Sequence, residues 1–161
     1  MRDWTVGGGV ITSPDGLLLV QNRRRDGSYD WTPPGGVIDE GESLLGGLTR
    51  EVEEETGLVV SDWRGPLYEV IVEAVDLGWR LRVESWLAVA YSGDLAISDP
   101  DGIVVDARFV SFNRCAGHLA GVHPWVREPL SEWLAERWTG SRPYHFEVAG
   151  TDRSALVVTR R

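Results

Sequence analysis

Four glutamates fall within the five residues from Glu51 to Glu55, in the segment REVEEETG. On a helix each residue is turned by about 100° from the last, so Glu51, Glu54 and Glu55 share one face, whereas Glu53 points away from it. Three carboxylates on one face suit a hard divalent cation such as Mg²⁺ or Mn²⁺, which prefers oxygen ligands. Exposed like charges at this spacing repel by only about 0.2–0.5 kcal/mol per pair, however. The spacing alone therefore leaves two alternatives open, a solvated acidic face and a cation site.

The helix that would position these glutamates is predicted over Ser43–Thr56. Gly57 follows it and is suited to a left-handed cap at a helix end. Gly46 and Gly47 interrupt the helix, and each costs about 1 kcal/mol relative to alanine unless another part of the chain must approach the backbone closely. Beside the glutamates runs an apolar stripe that can pack on a sheet, formed by Leu44, Leu45, Leu48 and Val52.

The residues upstream of the glutamates complete a longer pattern. From Gly36 the chain reads GVIDEGESLLGGLTREVEEETGL, and its characteristic positions are Gly36, Glu42, Arg50, Glu51, Val52, Glu54, Glu55, Gly57 and Leu58. This pattern resembles the Nudix box at every one of those positions. The preceding residues 31–36, WTPPGG, are also similar to the family's usual approach to the box.

The resemblance implies a fold, a reaction and a cofactor. The fold would be α+β, with a mixed β-sheet sandwiched between helices, and the reaction would be hydrolysis of a nucleoside diphosphate linked to another group. Mg²⁺ or Mn²⁺ would be bound by the carbonyl of Gly36 and by the three glutamates that share a face, Glu51, Glu54 and Glu55. Glu54, Glu55, Arg50 and Glu42 would be the catalytic residues. Within that set Arg50 would orient and neutralise the glutamates, and Glu42 would brace Arg50 or bind metal through water.

The general base is left open by the resemblance, because members of this family take it from the box or from a distant acidic loop. The loop candidates are Asp99 and Asp101 in SDPDG, ahead of Glu84 on the preceding strand. Glu54 or Glu55 would serve instead if the base lies in the box. The alternative for the loop is a turn that is rich in Asp and Pro for backbone reasons.

Substrate-binding candidates lie before the box. Similar proteins place an arginine of this region on the phosphates, and Arg23 and Arg24 are the candidates, with solvated side chains as the alternative. Tyr29 and Trp31 are candidates for stacking on a base, as is Trp86 on a later strand, although such aromatics are commonly core or rim residues. The remaining reactive side chains are predicted to be structural, namely Cys115, His118, His123 and His145.

Composition limits the classes of partner. The 161 residues suffice for one domain, predicted to span 1–161, and the formal charge of −9 argues against binding a nucleic-acid polymer. A small phosphorylated ligand remains compatible with that charge if a divalent cation mediates. The single cysteine excludes an internal disulfide. No apolar segment is long enough for a membrane span or resembles a signal peptide, so we expect a cytoplasmic protein with no membrane partner, either a monomer or a homodimer.

Alternating and punctuated segments predict the remaining elements. The chain is predicted to form a hairpin of Thr5–Thr12 and Leu17–Gln21, a loop over residues 22–36, strands Leu67–Val75 and Trp79–Tyr91, a polar loop Asp94–Gly102, a strand Ile103–Phe112, a helix from Pro124 or Pro129 to Trp138, and a hairpin of Tyr144–Ala149 and Ala155–Thr159. About two helices among so many strands favour the α+β class. The last hairpin is predicted to be an extension over residues 141–161.

The substrate is predicted by elimination within the resemblance. Residues 70–76, VIVEAVD, lack the proline typical of ADP-ribose hydrolases and the tyrosine typical of dinucleoside polyphosphate hydrolases. The coenzyme A signature is missing as well. What remains is a MutT-like hydrolase of (deoxy)nucleoside triphosphates such as 8-oxo-dGTP. The alternatives are a Nudix hydrolase of ADP-ribose or a nucleotide sugar, and a non-enzymatic nucleotide-sensing domain.

Overall fold

The computed structural model describes residues Met1–Arg161. Its strands are β1 (Arg2–Val10), β2 (Thr12–Ser13), β3 (Gly16–Arg23), β4 (Tyr29–Thr32), β5 (Gly35–Val37), β6 (Val59–Ala74), β7 (Trp79–Ser92), β8 (Val104–Val110), β9 (Arg142–Ala149) and β10 (Val157–Arg160). Its helices are α1 (Leu44–Thr56), α2 (Cys115–Leu119) and α3 (Pro124–Glu136). None of these helices has the length and apolar character needed to cross a membrane.

Two sheets organise the strands. The larger has the order β10-β9-β6-β7-β1-β5, and in it β1 runs parallel to β7 and β9 runs parallel to β6. The smaller is antiparallel, with β2, β4 and β8 all paired to β3. A mixed sheet with separate helices is the α+β arrangement, so the predicted fold class is confirmed.

Helix α1 packs closely on β1 because two glycines of that strand leave room for it. A Cβ atom at Gly7 would lie 3.3 Å from Leu48 Cβ, and one at Gly9 would lie 3.4 Å from Val52 Cγ2. Leu48 and Val52 are fully buried, as the apolar stripe predicts. The helix starts and ends as predicted, since Ser43 Oγ accepts a hydrogen bond from the N–H of residue 46 at 3.0 Å and the cap residue after Thr56 has a φ of 80°.

Helix α3 packs on the other face of the large sheet. Side chains alternate along a strand, so the neighbours of Gly7 and Gly9 in the sequence point away from α1 and toward this second layer. Leu130 and Trp133 of α3 are buried there in a core cluster that also includes Phe146 of β9. The helix begins at Pro124, one of the two predicted starts, because a proline in the first turn sacrifices no helical hydrogen bond.

Several predicted boundaries are wrong. The predicted loop over residues 22–36 contains two strands, β4 and β5, whose glycines and prolines mask short segments that pair with β3 and β1. The predicted first hairpin reduces to the pairs Thr12↔Leu17 and Ser13↔Gly16, because β1 pairs with the distant β7 and β5 instead. Strand β6 starts at residue 59 rather than 67, α3 ends two residues early, and α2 is a third helix.

The C-terminal hairpin is present, with Val157 paired to Ala149. The hairpin is part of the large sheet and is not attached at its surface, since β9 pairs with β6. Phe146 of this strand is fully buried and Val148 is 4 % exposed. The hairpin therefore supplies part of the main hydrophobic core.

Truncation of a hairpin valine tests that integration. We expect Val148→Ala to lower the free energy of unfolding by about 2 kcal/mol, because roughly two buried methylene equivalents are lost. The matched control is Val157→Ala, the same chemical change at a side chain that is 62 % exposed, with an effect within about 0.5 kcal/mol. Urea denaturation of both variants measures the difference. Equal effects would mean that the hairpin does not contribute to the cooperative core.

Candidate active site

Arg50 connects the charged residues of α1 with the turn that precedes the helix. Its Nε and Nη2 atoms donate to the two carboxylate oxygens of Glu42, each at 2.9 Å, in a bidentate pair. Its Nη1 atom lies 3.3 Å from Glu54 Oε2 and 3.4 Å from Glu51 Oε1. The hydrogen bond from Arg50 is the main reason that the pKa of Glu42 is lowered to about 2. Glu42 therefore stays ionised and holds Arg50 against the other two glutamates.

Glu51 and Glu55 lie in surroundings that disfavour their ionised forms. Glu55 is 5 % exposed, and burial raises its pKa to about 8, with the charges of Glu51 and Asp99 adding to the effect. The N–H of Gly35 opposes that shift by donating to both Glu55 oxygens at 3.3 Å. Burial also raises the pKa of Glu51, assisted by Glu54 and Asp101 and opposed by Arg50. Both carboxylates therefore favour a bound proton, or a cation in its place.

Two adjacent glycines allow the chain to pass beside these carboxylates. Gly35 has a φ of 150°, and a Cβ there would lie 2.1 Å from the carbonyl oxygen of Gly7, so any other residue would be excluded at this crossing. A Cβ at Gly36 would lie 3.0 Å from Glu51 Cδ. Glycine at both positions therefore lets backbone atoms approach the Glu51 and Glu55 carboxylates.

The donor set fits a hard divalent cation, although its side chains are arranged around Arg50 and Gly35 rather than around one point. No group of three or more His, Cys, Asp or Glu side chains converges at metal-binding spacing in the structure. The groups that face one another are nevertheless oxygen donors, and burial, together with the neighbouring carboxylates, raises the pKa values of Glu51 and Glu55. A cation would offset the repulsion between these carboxylates, and oxygen donors are what Mg²⁺ and Mn²⁺ prefer.

A cavity of about 750 Å³ opens beside the cluster. Of the predicted site residues, eight line it: Arg24, Gly36, Arg50, Glu51, Glu54, Glu55, Asp99 and Asp101. Its less polar lining comes from the large sheet and from α3, and includes Tyr68, Leu81, Val83, Trp125 and Val126. The cavity therefore joins the acidic residues of α1 to a less polar wall formed by other elements.

The loop that carries Asp99 and Asp101 is attached to the end of α1. The N–H of Ser98 donates to the carbonyl of Glu54 at 2.9 Å, so the loop satisfies one of the carbonyls that a helix end leaves without a partner. Asp99 accepts hydrogen bonds from the N–H groups of Asp101, Ile103 and Val104 at 3.0–3.2 Å. Asp99 thus has the backbone role that was the alternative for this loop, since its carboxylate stabilises the turn. The carboxylate of Asp101 accepts fewer hydrogen bonds than that of Asp99.

Five aromatic or charged candidates from outside the box do not line the cavity. Arg23 is exposed at the end of β3 and Tyr29 is 56 % exposed. Trp31 packs edge-on against His118, with ring centroids 5.4 Å apart. Trp86 is partly buried and packs against the core cluster that includes Leu48 and Val52 of α1. Glu84 is adjacent to Ser85 on β7, so the two side chains point to opposite faces of the sheet. Ser85 lines the cavity and Glu84 does not.

The residues predicted to be structural have protein partners. His145 Nε2 lies 2.9 Å from Glu73 Oε1, and His118 Nδ1 lies 3.0 Å from the carbonyl of Arg114. His123 stacks on Trp125 with centroids 4.0 Å apart. Cys115 is 2 % exposed, so burial raises the pKa of its thiol. None of the four lines the cavity.

Sequence reasoning missed the cavity residues on the sheet and on α3, among them Asn22, Tyr68, Ser85 and Trp125. Asn22 was the one with a usable signal, because two carboxamides, Gln21 and Asn22, follow the apolar run LLLV on one strand, so one of the two must face the interior. The others carry no local pattern that separates a cavity wall from an ordinary core.

Gly47 leaves space for the Glu42–Arg50 pair, and filling that space is expected to weaken the site. A Cβ there would lie 2.9 Å from Ile38 Cδ1 and 3.1 Å from Glu42 Oε1. We expect Gly47→Ala to displace Glu42 and lower kcat/KM about tenfold, because small displacements of positioning groups are costly. Gly117→Ala is the control, since a Cβ there meets nothing within 4 Å. An unchanged kcat/KM for Gly47→Ala in a nucleotide hydrolysis assay would remove Glu42 from the positioning role.

Comparison with known proteins adds an independent observation. A family model of the NUDIX domain matches residues 1–134. The search of curated proteins gave no match.

Among solved structures, the mutator MutT protein from Bacillus halodurans is similar, at 20% identity and a TM-score of 0.68 over 98% of this chain and 96% of that chain. The ORF135 protein of E. coli has 20% identity and a TM-score of 0.69, covering 86% of this chain and 96% of that one. An ADP-ribose pyrophosphatase from Streptococcus suis has 20% identity and a TM-score of 0.55, with 88% and 98% covered. At these identities the structures show the fold, and the family model shows the membership. The chain belongs to the NUDIX family of pyrophosphohydrolases.

Proposed function

We propose that this protein hydrolyses the pyrophosphate bond of a (deoxy)nucleoside triphosphate such as 8-oxo-dGTP, in a MutT-like reaction that depends on Mg²⁺ or Mn²⁺. The observation that carries the proposal is the single cavity of about 750 Å³ that joins the glutamate cluster to a less polar wall. A nucleotide has the same two parts, a polyanionic tail and a largely apolar base. Similarity to a solved MutT protein over 98% of the chain supports this choice.

The residues of the box have separate roles in the proposed reaction. Divalent cations held by Glu51, Glu54, Glu55 and the Gly36 carbonyl would neutralise the phosphates and lower the pKa of attacking water. Arg50 keeps Glu51 and Glu54 on the cavity side of α1, and Glu42 keeps Arg50 in place. The N–H of Gly35 holds the Glu55 carboxylate.

Asp101 is the better loop candidate for the general base. Both oxygens of Asp99 already accept backbone hydrogen bonds, which leaves that carboxylate less free to take a proton from water. Asp101 lines the cavity, and its charge contributes to the raised pKa of Glu51. Its carboxylate therefore lies near the place where water would be activated.

Arg24 is the arginine that supports a role in phosphate binding. It lines the cavity, whereas Arg23 does not. Its Nε and Nη2 atoms pair with Asp30 at 2.8 and 2.9 Å, and the side chain remains 45% exposed. A bidentate pair of this kind fixes the orientation of the guanidinium and leaves its other edge available.

A substrate panel tests the proposal. The purified protein is incubated with 8-oxo-dGTP, the four common dNTPs, ADP-ribose and a nucleotide sugar, with Mg²⁺, with Mn²⁺ and with EDTA. We expect a nucleoside monophosphate and pyrophosphate from a triphosphate, and no product with EDTA. Orthophosphate and a nucleoside diphosphate as first products would contradict the proposal, because they indicate cleavage at the terminal phosphate.

ADP-ribose is the second candidate substrate, since one similar solved structure, which covers 88% of the chain, is an ADP-ribose pyrophosphatase. Release of AMP and ribose 5-phosphate, faster than any triphosphate is cut, would select it. A nucleotide-sensing domain without activity would show binding but no product with any member of the panel. The intact Arg50 cluster favours an enzyme over that reading. We also propose a cytoplasmic location, where such nucleotides occur.

A further inference from the structure

A buried asparagine in the cavity wall has none of the roles assigned above. Asn22 lies near the end of β3, is 6 % exposed and lines the cavity. Buried carboxamides are normally hydrogen-bonded at both ends, because an unsatisfied polar group in the interior is costly. The partners of each end therefore indicate what this side chain does.

The nitrogen end of Asn22 is fully used within the protein. Its Nδ2 atom donates to Asp30 Oδ1 at 3.0 Å and to Thr32 Oγ1 at 2.9 Å. An ionised carboxylate only accepts hydrogen bonds. Turning the carboxamide over would place its oxygen against the Asp30 carboxylate, so the chemistry of Asp30 permits one orientation. Arg24 in turn holds Asp30 through a bidentate pair.

The oxygen end of Asn22 accepts no hydrogen bond from the protein. The one fully enclosed side-chain polar atom that lacks a partner is Trp86 Nε1, so the unpaired Oδ1 of Asn22 is not enclosed and retains contact with the cavity. The pairing of β3 with β8 also shifts register between Gln21 and Asn22, and such irregularities re-aim side chains. The result is one hydrogen-bond acceptor, held in a fixed orientation, in the cavity wall.

We infer that Asn22 Oδ1 is a specificity-determining group that accepts a hydrogen bond from the N7–H of an oxidised purine base in the substrate, with Asp30 as the residue that positions it. The inference rests on the proposed function, which places a nucleotide in this cavity. A fixed acceptor favours an N–H and repels a ring-nitrogen lone pair at the same point. Guanine and 8-oxoguanine differ in this way at N7, which is a lone pair in the first and an N–H in the second. Both bases also carry an N1–H, which gives no preference between them. With N7 as the atom at Asn22 Oδ1, the acceptor favours the oxidised base.

The surroundings of Asn22 strengthen the discrimination. Asn22 pairs across the sheet with Val104, which is 6 % exposed and also lines the cavity, and a hydrogen bond counts for more beside apolar groups than in water. Sites built around a buried polar group reject analogues that leave the group unpaired. With one net hydrogen bond gained and one repulsion avoided, we expect a preference of about 10- to 100-fold.

Binding of the monophosphate products tests the inference without hydrolysis. Calorimetry in EDTA compares 8-oxo-dGMP with dGMP on the wild type and on Asn22→Leu and Asp30→Asn. We expect the wild type to bind 8-oxo-dGMP about 10- to 100-fold more tightly. Asn22→Leu should weaken 8-oxo-dGMP binding and reduce the preference to within about threefold. Gln21→Leu, which removes the adjacent carboxamide outside the cavity lining, is the matched control and should keep the wild-type preference.

Asp30→Asn is the second variant, and its effect separates orientation from simple loss of contact. An asparagine at position 30 can donate as well as accept, so the Asn22 carboxamide becomes free to turn over. We expect dGMP to bind more tightly to this variant than to the wild type. The preference therefore falls because dGMP binding improves, and not because 8-oxo-dGMP binding weakens as in Asn22→Leu. Thermal unfolding confirms that both variants are folded. The inference is overturned if the preference is unchanged in Asn22→Leu, if both monophosphates weaken equally, or if the wild type binds neither.

Failure of the inference and failure of the proposed function are distinguishable. If triphosphates release pyrophosphate but the base preference does not depend on Asn22, the inference falls and the proposed function stands. If 8-oxo-dGMP binds with an Asn22-dependent preference while no triphosphate is cut, the proposed function falls and the inference stands.

Discussion

Glu54→Gln is expected to lower kcat for the best nucleotide substrate by about 10²–10⁴-fold, the range over which a positioned catalytic carboxylate contributes. The side chain lines the cavity, accepts a hydrogen bond from Arg50 Nη1 at 3.3 Å and is 26% exposed. Glutamine keeps its size but removes one negative charge from the cation-binding cluster. Initial rates at saturating nucleotide and Mg²⁺ measure the effect.

The control for this substitution lies one residue away on the same helix. Glu53 is exposed and does not line the cavity, so Glu53→Gln makes the same chemical change on the solvent side of α1. We expect kcat within about twofold of the wild type, as for a surface substitution that touches no functional group. Similar losses in both variants would mean that overall acidity, not the shared face, supports the reaction. Full activity in Glu54→Gln would remove Glu54 from the catalytic set.

The carboxylate face of α1 was predictable because its determinants are local. The spacing from Glu51 to Glu55 and the cap at Gly57 belong to one helix, whose geometry is known before the tertiary structure. The structure separates Glu53 from the other three as that geometry requires. The pairing of Glu42 with Arg50, which the resemblance implied, is also a short-range contact across the start of the helix.

The strand pairings around the helix were much less predictable, because they depend on distant segments. The turn signal at residues 13–16 correctly marks a tight turn, but the strand before it prefers β7, whose partner residues begin at Trp79. Such a pairing depends on which surfaces remain after the core forms, and no local pattern records it. The prolines and glycines that suggested a loop before the box similarly concealed β4 and β5.

The cavity wall outside the box is the part of the candidate site that sequence reasoning could not assemble. Asn22, Ser85 and Trp125 come from two strands and a helix that are far apart in the chain. Each would be read on its own as a strand or core residue. Only the tertiary structure shows that Asn22 faces a space that the box glutamates also face. The proposed base recognition therefore depends on long-range structure here, whereas the proposed cation binding depends on a local pattern.

The free energy of unfolding of the metal-free protein is expected to fall as pH rises from about 4.5 to about 8, because of Glu55. Burial raises the folded-state pKa to about 8 from an ordinary 4.5. Between those values the folded protein holds a proton that the unfolded chain has released, so unfolding becomes easier as pH rises. The contribution is fully favourable below pH 4.5 and fully lost above about pH 8. Its steepest slope is about 1.4 kcal/mol per pH unit.

Glu55→Gln tests this dependence directly. Glutamine is neutral at every pH and keeps an oxygen that can accept the Gly35 N–H. In EDTA we expect the variant to unfold with a free energy about 2–4 kcal/mol above the wild type at pH 8.5, and with a difference near zero at pH 4.5. Urea denaturation at several pH values gives both curves, and Glu53→Gln should run parallel to the wild type. A Glu55→Gln curve that is also parallel would show that Glu55 does not carry the buried charge.

Addition of Mn²⁺ should reverse the order of stability at pH 8.5. A cation that binds the folded state alone stabilises it by an amount that grows with the ratio of its concentration to Kd, about 4.1 kcal/mol at 1,000 times Kd, which exceeds the expected difference between the two proteins. The wild type, whose ionised Glu55 supplies a charged oxygen donor, is expected to gain most of this stabilisation, and Glu55→Gln little of it. A variant that gains as much as the wild type would place the cation away from Glu55. A gain confined to the wild type would show that the buried charge of Glu55, which destabilises the metal-free protein, is also the reason that the cation binds.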